Sequence, residues 1–514
     1  MKSSALNNSL TTVAKGATIV FTGLIVGNIL GIVNQILLGR FLGPEDYGLF
    51  NLALSVVMIA SVIAIFGLFG ALSRFIPYYL KRDEKETVKS LIDFSSLFVF
   101  SVSILLATLL YIFSRKIATT IFHDEDLATV LKVFSIGIPI FALQRVMMAV
   151  VRGFKAAKHD ALIFKIGDRL VRIFVFLLFL TIGYRLYGAL FAFLSGCSVS
   201  IIVSGWLIKN KIFPDYHKYK RVPVAKTLLS FSWPLALTGF TFIFVSKTST
   251  LLVGYFLTSA DVGVYTPTLV IAKLLFFVSA AFQYIFLPVV SESFSKNKLK
   301  DIESLFKSTF KWTFLIVLPL FLLISLFPRE ILTLLYGNEY SGGYLALIVL
   351  CFGTSINAFS GTPGNILVGG GHTKLNLACE IIAAATTISL SLTLIPTYGI
   401  VGAAIAMGVS YFVRTTSFLY FVYKKFGIHP YKHKYLKIGF SCLAVTSIIY
   451  VLKIYSPFTW WITMLVLGAI FLILYTITVM FSKSFDENDM VILEAVERKL
   501  GIKLDFIKNI ISKT

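Results

Sequence analysis

Acidic residues are scarce in this chain. There are 25 Asp and Glu against 47 Lys and Arg, and charged residues of both signs make up only 14% of its 514 positions. Soluble globular domains carry roughly a quarter charged residues, so that class is excluded, and disorder goes with it. Cysteine is nearly absent. Cys197, Cys351, Cys379 and Cys442 lie in or beside apolar segments without CxxC spacing, which excludes a disulfide scaffold and argues for small buried hydrophobes. The six histidines fall in loops, and neither HExxH nor a Ser/His/Asp set can be placed. The glycine run GTPGNILVGGGHTK lacks the G-x-x-x-x-G-K-[ST] spacing that cradles a nucleotide phosphate, so ATP-driven transport by this chain is not expected. No catalytic residue, metal or cofactor is expected.

What the chain has in abundance is apolar length: 57% of its residues are hydrophobic. A spanning helix takes about 20 of them. Fourteen such stretches can be counted, near 17–39, 48–70, 91–113, 128–150, 162–182, 188–208, 229–256, 262–290, 312–328, 344–368, 377–396, 402–422, 437–454 and 460–481. The expected fold is an all-α polytopic membrane protein of about fourteen transmembrane helices. The first run is too long for a signal h-region and is read as an uncleaved span. Residues 482–514 form a polar tail with amphipathic stretches such as MVILEAVERKLGIKL, expected on the cytoplasmic membrane surface.

With the N-terminus inside, cytoplasmic segments hold 33 Lys and Arg, whereas the external loops hold only Arg40, Arg115, Lys116, Arg185, Arg329 and Lys453. This bias puts both termini in the cytoplasm of a multi-pass cell-membrane protein. It also accounts for the net charge of +22 without nucleic acid.

The sequence repeats itself. GRFLGPEDYGLF (39–50) and GYFLTSADVGVY (254–265) share G-x-F-L-x-x-x-D-x-G at an offset of 215. RKIATTIF (115–122) pairs with REILTLLY (329–336), and GALFAF (188–193) with GAAIAM (402–407), both at 214. Three pairs at one offset imply a duplication. Each copy holds six spans, an even number, so the copies face the same way and are related by an axis along the membrane normal. The expected organisation is a six-helix lobe over 1–226, a second over 227–436, two additional helices over 437–481 and the tail. Paired bundles of this kind place a substrate path at the interface and work by rocking of the halves, which points to a transporter.

Eight cations fall inside the spans. A charge at mid-bilayer costs about 3 kcal/mol on insertion scales, so such groups face a cavity or a partner. Lys165, Asp168, Arg169 and Arg172 recur in FKIGDRLVRIF at helical spacing and are expected on one face. The bland alternative pairs Asp168 with Arg172 at the cytoplasmic interface and lets the long stems snorkel. Arg172 lies about 16 Å along its span, which favours a wet cavity. Lys247 and Lys273 are isolated charges in successive apolar spans. Arg145 and Arg414 lie towards the cytoplasmic side, where snorkelling competes with a cavity role, and Lys132 reads as interfacial. Asp168 and Glu380 oppose this set, and these two with Lys165 are candidates for coupling or gating. Such an excess suits a ligand carrying phosphate or pyrophosphate, gripped by Arg forks and Lys ammonium groups. Span one carries Gly23, Gly27 and Gly31 at GxxxG spacing beside Asn28, Asn34 and Gln35. These read as close helix packing with polar glue, or as amides that bind sugar hydroxyls.

GRFLGPEDYGLF, ALSRF, GYFLTSADVGVY and REILTLLYGNEY make the chain resemble, over nearly its whole length, the polysaccharide-unit flippases of the multidrug/oligosaccharidyl-lipid/polysaccharide exporter superfamily. The resemblance implies translocation of a polyprenyl-phosphate- or pyrophosphate-linked oligosaccharide from inner to outer leaflet. It implies alternating access around a cationic cavity, which Arg145, Arg172, Lys247, Lys273 and Arg414 fit by residue type. The partners implied are the lipid-linked glycan, membrane lipid and glycan-assembly enzymes. One departure is SKTSTLLVGY, which lacks the acidic residue common ahead of the L-L-x-G-Y run and so puts a coupling role there in doubt. Two other readings compete. An ion-coupled drug or metabolite antiporter of the same fold predicts intramembrane carboxylates, which are sparse. A glycan polymerase or ligase calls for a sizeable external loop, which is lacking.

The orientation is checked with single cysteines. Lys85→Cys is expected to react with a membrane-impermeant maleimide only in opened cells and Lys116→Cys in intact cells; the reverse pattern would overturn the charge-bias topology.

Overall fold

A computed structural model describes residues 2–296, 298–360, 362–430 and 434–481; the amphipathic tail expected over 482–514 lies outside the described residues. Among the described residues every regular element is helical. In chain order these are α1 (Lys2–Ile65), α2 (Leu68–Leu80), α3 (Lys85–Thr120), α4 (Asp126–Phe134), α5 (Gly137–Gly153), α6 (Ala157–Asp160), α7 (Asp168–Thr181), α8 (Arg185–Leu207) and α9 (Ala225–Phe256). There follow α10 (Ser259–Ser295), α11 (Leu299–Leu326), α12 (Pro328–Leu335), α13 (Tyr344–Ser360), α14 (Pro363–Gly369), α15 (Thr373–Phe426), α16 (Lys434–Ile454) and α17 (Trp460–Phe481). Nine of the described helices are long and apolar enough to cross a membrane, or ten if the bent pair α4 and α5 is one span. The chain is an all-α, multi-pass membrane protein. The figure of fourteen crossings stays an expectation of the hydropathy reading.

The two longest helices contain a break. In α1 Gly43 takes φ 80° and ψ 169°, a conformation open to glycine, and Pro44 then starts the next segment with its fixed φ. In α15 the break falls at Gly399, with φ 57° and ψ −138°. A third irregularity precedes α7: residues Ala161–Gly167 wind as a π-helix, a turn type found mostly at functional sites.

The chain forms two compact units, Met1–Pro267 and Thr268–Thr514. The boundary falls within α10. In the first unit, α9 packs on α1 and α2: a Cβ on Gly254 would come within 2.4 Å of Leu52, and one on Gly67 within 2.2 Å of the Ser232 carbonyl. Its core joins Leu68, Leu72 and Ile76 of α2 to Leu91 of α3 and to Val146 and Val150 of α5. The stretch after α8 is fastened to α3. Lys89 donates to the Tyr219 carbonyl (2.7 Å), the Val222 amide donates to Ser90 (2.8 Å), Arg221 pairs with Asp93 (2.9 Å), and the Tyr216 hydroxyl donates to Asp93. Burial and the neighbouring Asp93 carboxylate push the Tyr216 phenol above its ordinary range.

In the second unit, α11 packs with α16 and α17 through Leu322, Phe327, Ile449 and Phe471. A separate cluster gathers Phe286, Phe306, Leu367, Phe418 and Val422 around α14 and both ends of α15. Lys453 bridges back to Glu330 at 2.6 Å and donates to the Leu326 carbonyl at 2.7 Å.

The first repeat pair meets itself in space. A Cβ on Gly48 would lie 1.7 Å from the Ser259 carbonyl oxygen, and one on Gly263 would lie 1.8 Å from the Pro44 carbonyl oxygen. Pro44 and Ser259 stand in the same relation as Gly48 and Gly263, an offset of 215, so the contact is reciprocal, as in an isologous interface. Backbone meets backbone here, and neither side can yield by turning a rotamer. Gly48→Ala and Gly263→Ala are each expected to lower stability by about 1–3 kcal/mol or more, by comparable amounts, as measured by thermal unfolding of the purified protein. A marked inequality between them would speak against a reciprocal contact.

Candidate substrate-binding site

The first unit concentrates its charge where the π-helix runs into α7. The sequence spacing places Lys165, Asp168, Arg169 and Arg172 on one face. The structure divides them between two neighbours, because Lys165 with Arg169 and Asp168 with Arg172 form two adjacent i,i+4 ridges, Asp168 and Arg169 being about 100° apart around the helix.

Lys165 and Arg169 lie against α1. A Cβ on Gly23 would strike Ala161 (2.7 Å), one on Gly27 would strike the Cβ of Lys165 (2.8 Å), and one on Gly31 would overlap Arg169 Nη1 (1.6 Å). The GxxxG stripe is thus a groove that admits the cationic segment at backbone distance. Lys165 is half-buried and makes no hydrogen bond or ion pair among the described residues. Arg169 reaches Asp168 only at 4.0 Å.

Asp168 and Arg172 face α5 and α8. Asp168 is 4% exposed and accepts on Oδ1 from Arg172 Nη2 (2.9 Å) and from Gln144 Nε2 (2.9 Å). Arg172 Nη2 also donates to Cys197 Sγ (3.3 Å), whose thiol donates to Gln144 Oε1 (3.4 Å), closing a ring of four side chains. The guanidinium sits 4.2 Å from the ring centre of Phe193, and Gly196 makes room for its stem. Arg172 Nε is buried without a hydrogen-bond partner. A small pocket beside it is lined by Asn34 and Gln35 of α1, Arg172 and Phe193. Gln35 accepts from the Tyr47 hydroxyl at 2.6 Å. Asn28 is half-buried and lies outside that pocket's lining.

Arg145 of α5 is near enough to feel the charges of Arg152, Arg172 and Asp168. Its guanidinium lies 5.1 Å from the Phe141 ring and makes no hydrogen bond or ion pair among the described residues. Arg152, seven residues or about two helix turns further along α5, is held by Asp160 at 3.1 Å. Arg172 and, at longer range, Arg169 draw on Asp168, whereas Arg145 and Lys165 make no ion pair among the described residues.

The remaining cations are treated differently. Arg414 is gripped by Glu380 through two parallel bonds (3.0 and 2.5 Å) and donates to Asn357 Oδ1 at 2.8 Å. It is a neutralised pair in a pocket of the second unit. Lys273 is exposed and makes no hydrogen bond or ion pair among the described residues. Lys247 is half-buried, and Lys132 is exposed near the end of α4. Charge counting along the sequence missed Gln144 and the amides around Arg414, because neutral polar residues in apolar runs give little signal. Weighing Asn and Gln alongside charges would have found them.

A helical membrane protein whose interior carries unbalanced cations is what fold and site together define. Its sequence places it more narrowly. The model of the family described as polysaccharide biosynthesis protein matches residues 13–294, more than half of the chain, and the chain belongs to that family. The MatE family model matches residues 234–393. Among curated relatives, an uncharacterized membrane protein of Methanocaldococcus jannaschii is 26% identical over 74% of this chain and 78% of its own length. A probable low-salt glycan biosynthesis flippase of Haloferax volcanii is 24% identical over 82% and 86%. Among solved structures, the lipid II flippase MurJ in an inward closed conformation covers 90% of this chain and 98% of its own, with a TM-score of 0.69 and 18% identity, a likeness of fold.

The Asp168 ring is open to test. Asp168→Asn leaves the Arg172 charge buried without its counter-ion and is expected to cost about 3–5 kcal/mol in thermal unfolding. Asp168→Leu combined with Arg172→Met removes both charges and is expected to recover most of that loss. A double variant as unstable as the single one would show that the pair does not carry the effect.

Proposed function

We propose that the chain is a flippase that carries a polyprenyl-phosphate- or pyrophosphate-linked oligosaccharide, or a polysaccharide repeat unit, from the inner to the outer leaflet by alternating access. The observation that carries this reading is the imbalance in the first unit, where Arg145 and Lys165 make no ion pair among the described residues and Arg169 has only a distant share of Asp168. Cations enclosed by apolar helices are stable only if something compensates them, and a phosphate held by Arg forks and a Lys ammonium does so. The names of relatives such as the Haloferax flippase point the same way.

In this reading the phosphate enters from the cytoplasm and meets Arg145, Lys165 and Arg169. Arg172, already seated on Asp168, shares its guanidinium between carboxylate and ligand. The amides Asn28, Asn34 and Gln35 on the neighbouring helix bind sugar hydroxyls, and the lipid tail stays in the bilayer. Neutralising the cluster removes the repulsion among its cations, which favours closing of the cytoplasmic side. Lys247 and Lys273 belong to the later path. The two repeats, 1–226 and 227–436, are the moving lobes, 437–481 is an appendage, and both termini lie on the cytoplasmic side of the plasma membrane. Glycan-assembly enzymes supply the substrate.

An ion-coupled antiporter needs a carboxylate free to take a proton or cation. Asp168 and Glu380 each bond to arginine at 2.5–2.9 Å, which disfavours that reading.

Arg145→Gln combined with Lys165→Gln tests the proposal in proteoliposomes given a fluorescent polyprenyl-pyrophosphoryl sugar. Losing charge-assisted contacts worth about 2 kcal/mol or more lowers ligand affinity some 30-fold, and outward transfer at limiting substrate is expected to fall accordingly, with protein levels unchanged. Inorganic pyrophosphate is expected to bind the parent protein and to lose that binding in the variant. Transfer at the parent rate would refute the role given to this cluster.

A further inference from the structure

The second unit holds a cavity of about 240 Å³ with an unusual lining. The amides of Gln283 on α10, Asn365 on α14 and Asn376 on α15 border it, beside the Glu380–Arg414 pair. None of these three side chains makes a hydrogen bond to the protein among the described residues, although all are half-buried in otherwise apolar helices. Each offers two donors and an acceptor with two lone pairs. Half-buried amides without a protein partner are costly unless they face water or a ligand.

The cavity's charge decides among ligand classes. Arg414 is already matched by Glu380 in a bidentate fork and by Asn357, so no net positive charge is offered to a phosphate. What remains is a neutral wall of mixed donors and acceptors. Phe276 and Phe418 add aromatic surface to it. Alternating hydroxyls with an apolar C–H face are the chemistry of a pyranose ring, whose hydroxyls both donate and accept. The volume falls just below the range of about 300–1,000 Å³ typical of pockets for drug-sized ligands, a size for one ring rather than a chain of them. Gly364 contributes by leaving Asn376 Oδ1 in place, since a Cβ there would approach it to 3.1 Å.

We infer that this cavity is a saccharide subsite that receives a single uncharged sugar ring on Gln283, Asn365 and Asn376. The inference rests on reading the chain as a carrier of lipid-linked glycans, and it assigns recognition of sugar to a place without net charge, apart from the cations that take the phosphate. Selectivity among glycans then depends on these amides together with Asn28, Asn34 and Gln35, while the cations themselves are indifferent to the sugar.

The test uses the full chain in phospholipid nanodiscs prepared without glycosidic detergent. Saturation-transfer NMR is run with free glucose, galactose, mannose and N-acetylglucosamine as probes. At least one sugar is expected to show transfer that drops threefold or more in Asn365→Leu and in Asn376→Leu and is not displaced by inorganic pyrophosphate. Asn376→Asp, nearly isosteric but without the amide donors, is expected to lower the signal too, which guards against loss through misfolding. No transfer from any probe, transfer that survives both leucine variants, or displacement by pyrophosphate would each overturn the inference. Loss of sugar binding alone, with pyrophosphate still bound by the parent protein, would leave the phosphate reading standing; absence of both would remove the two together.

Discussion

A buried cation has to be answered by something, and much of this molecule is arranged around that requirement. Bringing several guanidinium and ammonium groups into an apolar bundle is tolerable only where geometry supplies partners or leaves room for a ligand. Here both solutions occur side by side. Arg414 is matched by Glu380 and Asn357, while Arg172 pairs with Asp168 and keeps its Nε without a hydrogen-bond partner among the described residues. Arg145 and Lys165 make no hydrogen bond or ion pair among the described residues. The contrast separates groups that build the framework from groups held ready for an anion.

Glycine makes this arrangement possible in two ways. Along α1 the stripe Gly23, Gly27 and Gly31 lets the segment with Lys165 and Arg169 approach closer than any side chain would allow. At the repeat motifs, Gly48 and Gly263 bring carbonyl and Cα into mutual contact. The first use sets where charge can sit. The second brings the main chains of the two equivalent motifs into direct contact.

That the chain is an all-α protein crossing the membrane many times was legible in the sequence, since apolar runs of spanning length are a property of the string itself. The site was legible only in outline. Charges within apolar runs stand out, so Arg145, Asp168 and Arg172 could be picked by type. Whether each was matched could not, because Gln144 lies 24 residues and Cys197 29 residues from Asp168 along the chain, and neither signals charge chemistry. The π turn before α7 also escaped notice, since its residues suit an α-helix equally well.

Composition and periodicity by themselves determined that this chain is a helical membrane protein with positive charge in its interior. Those features follow from the cost of leaving polar groups in lipid, which acts on every residue regardless of its neighbours. Only the tertiary structure decided which cations are paired and which amides stand free around a cavity. Pairing depends on distances of a few ångströms between segments remote in sequence, and such distances are fixed by packing, with glycine stripes setting who can reach whom.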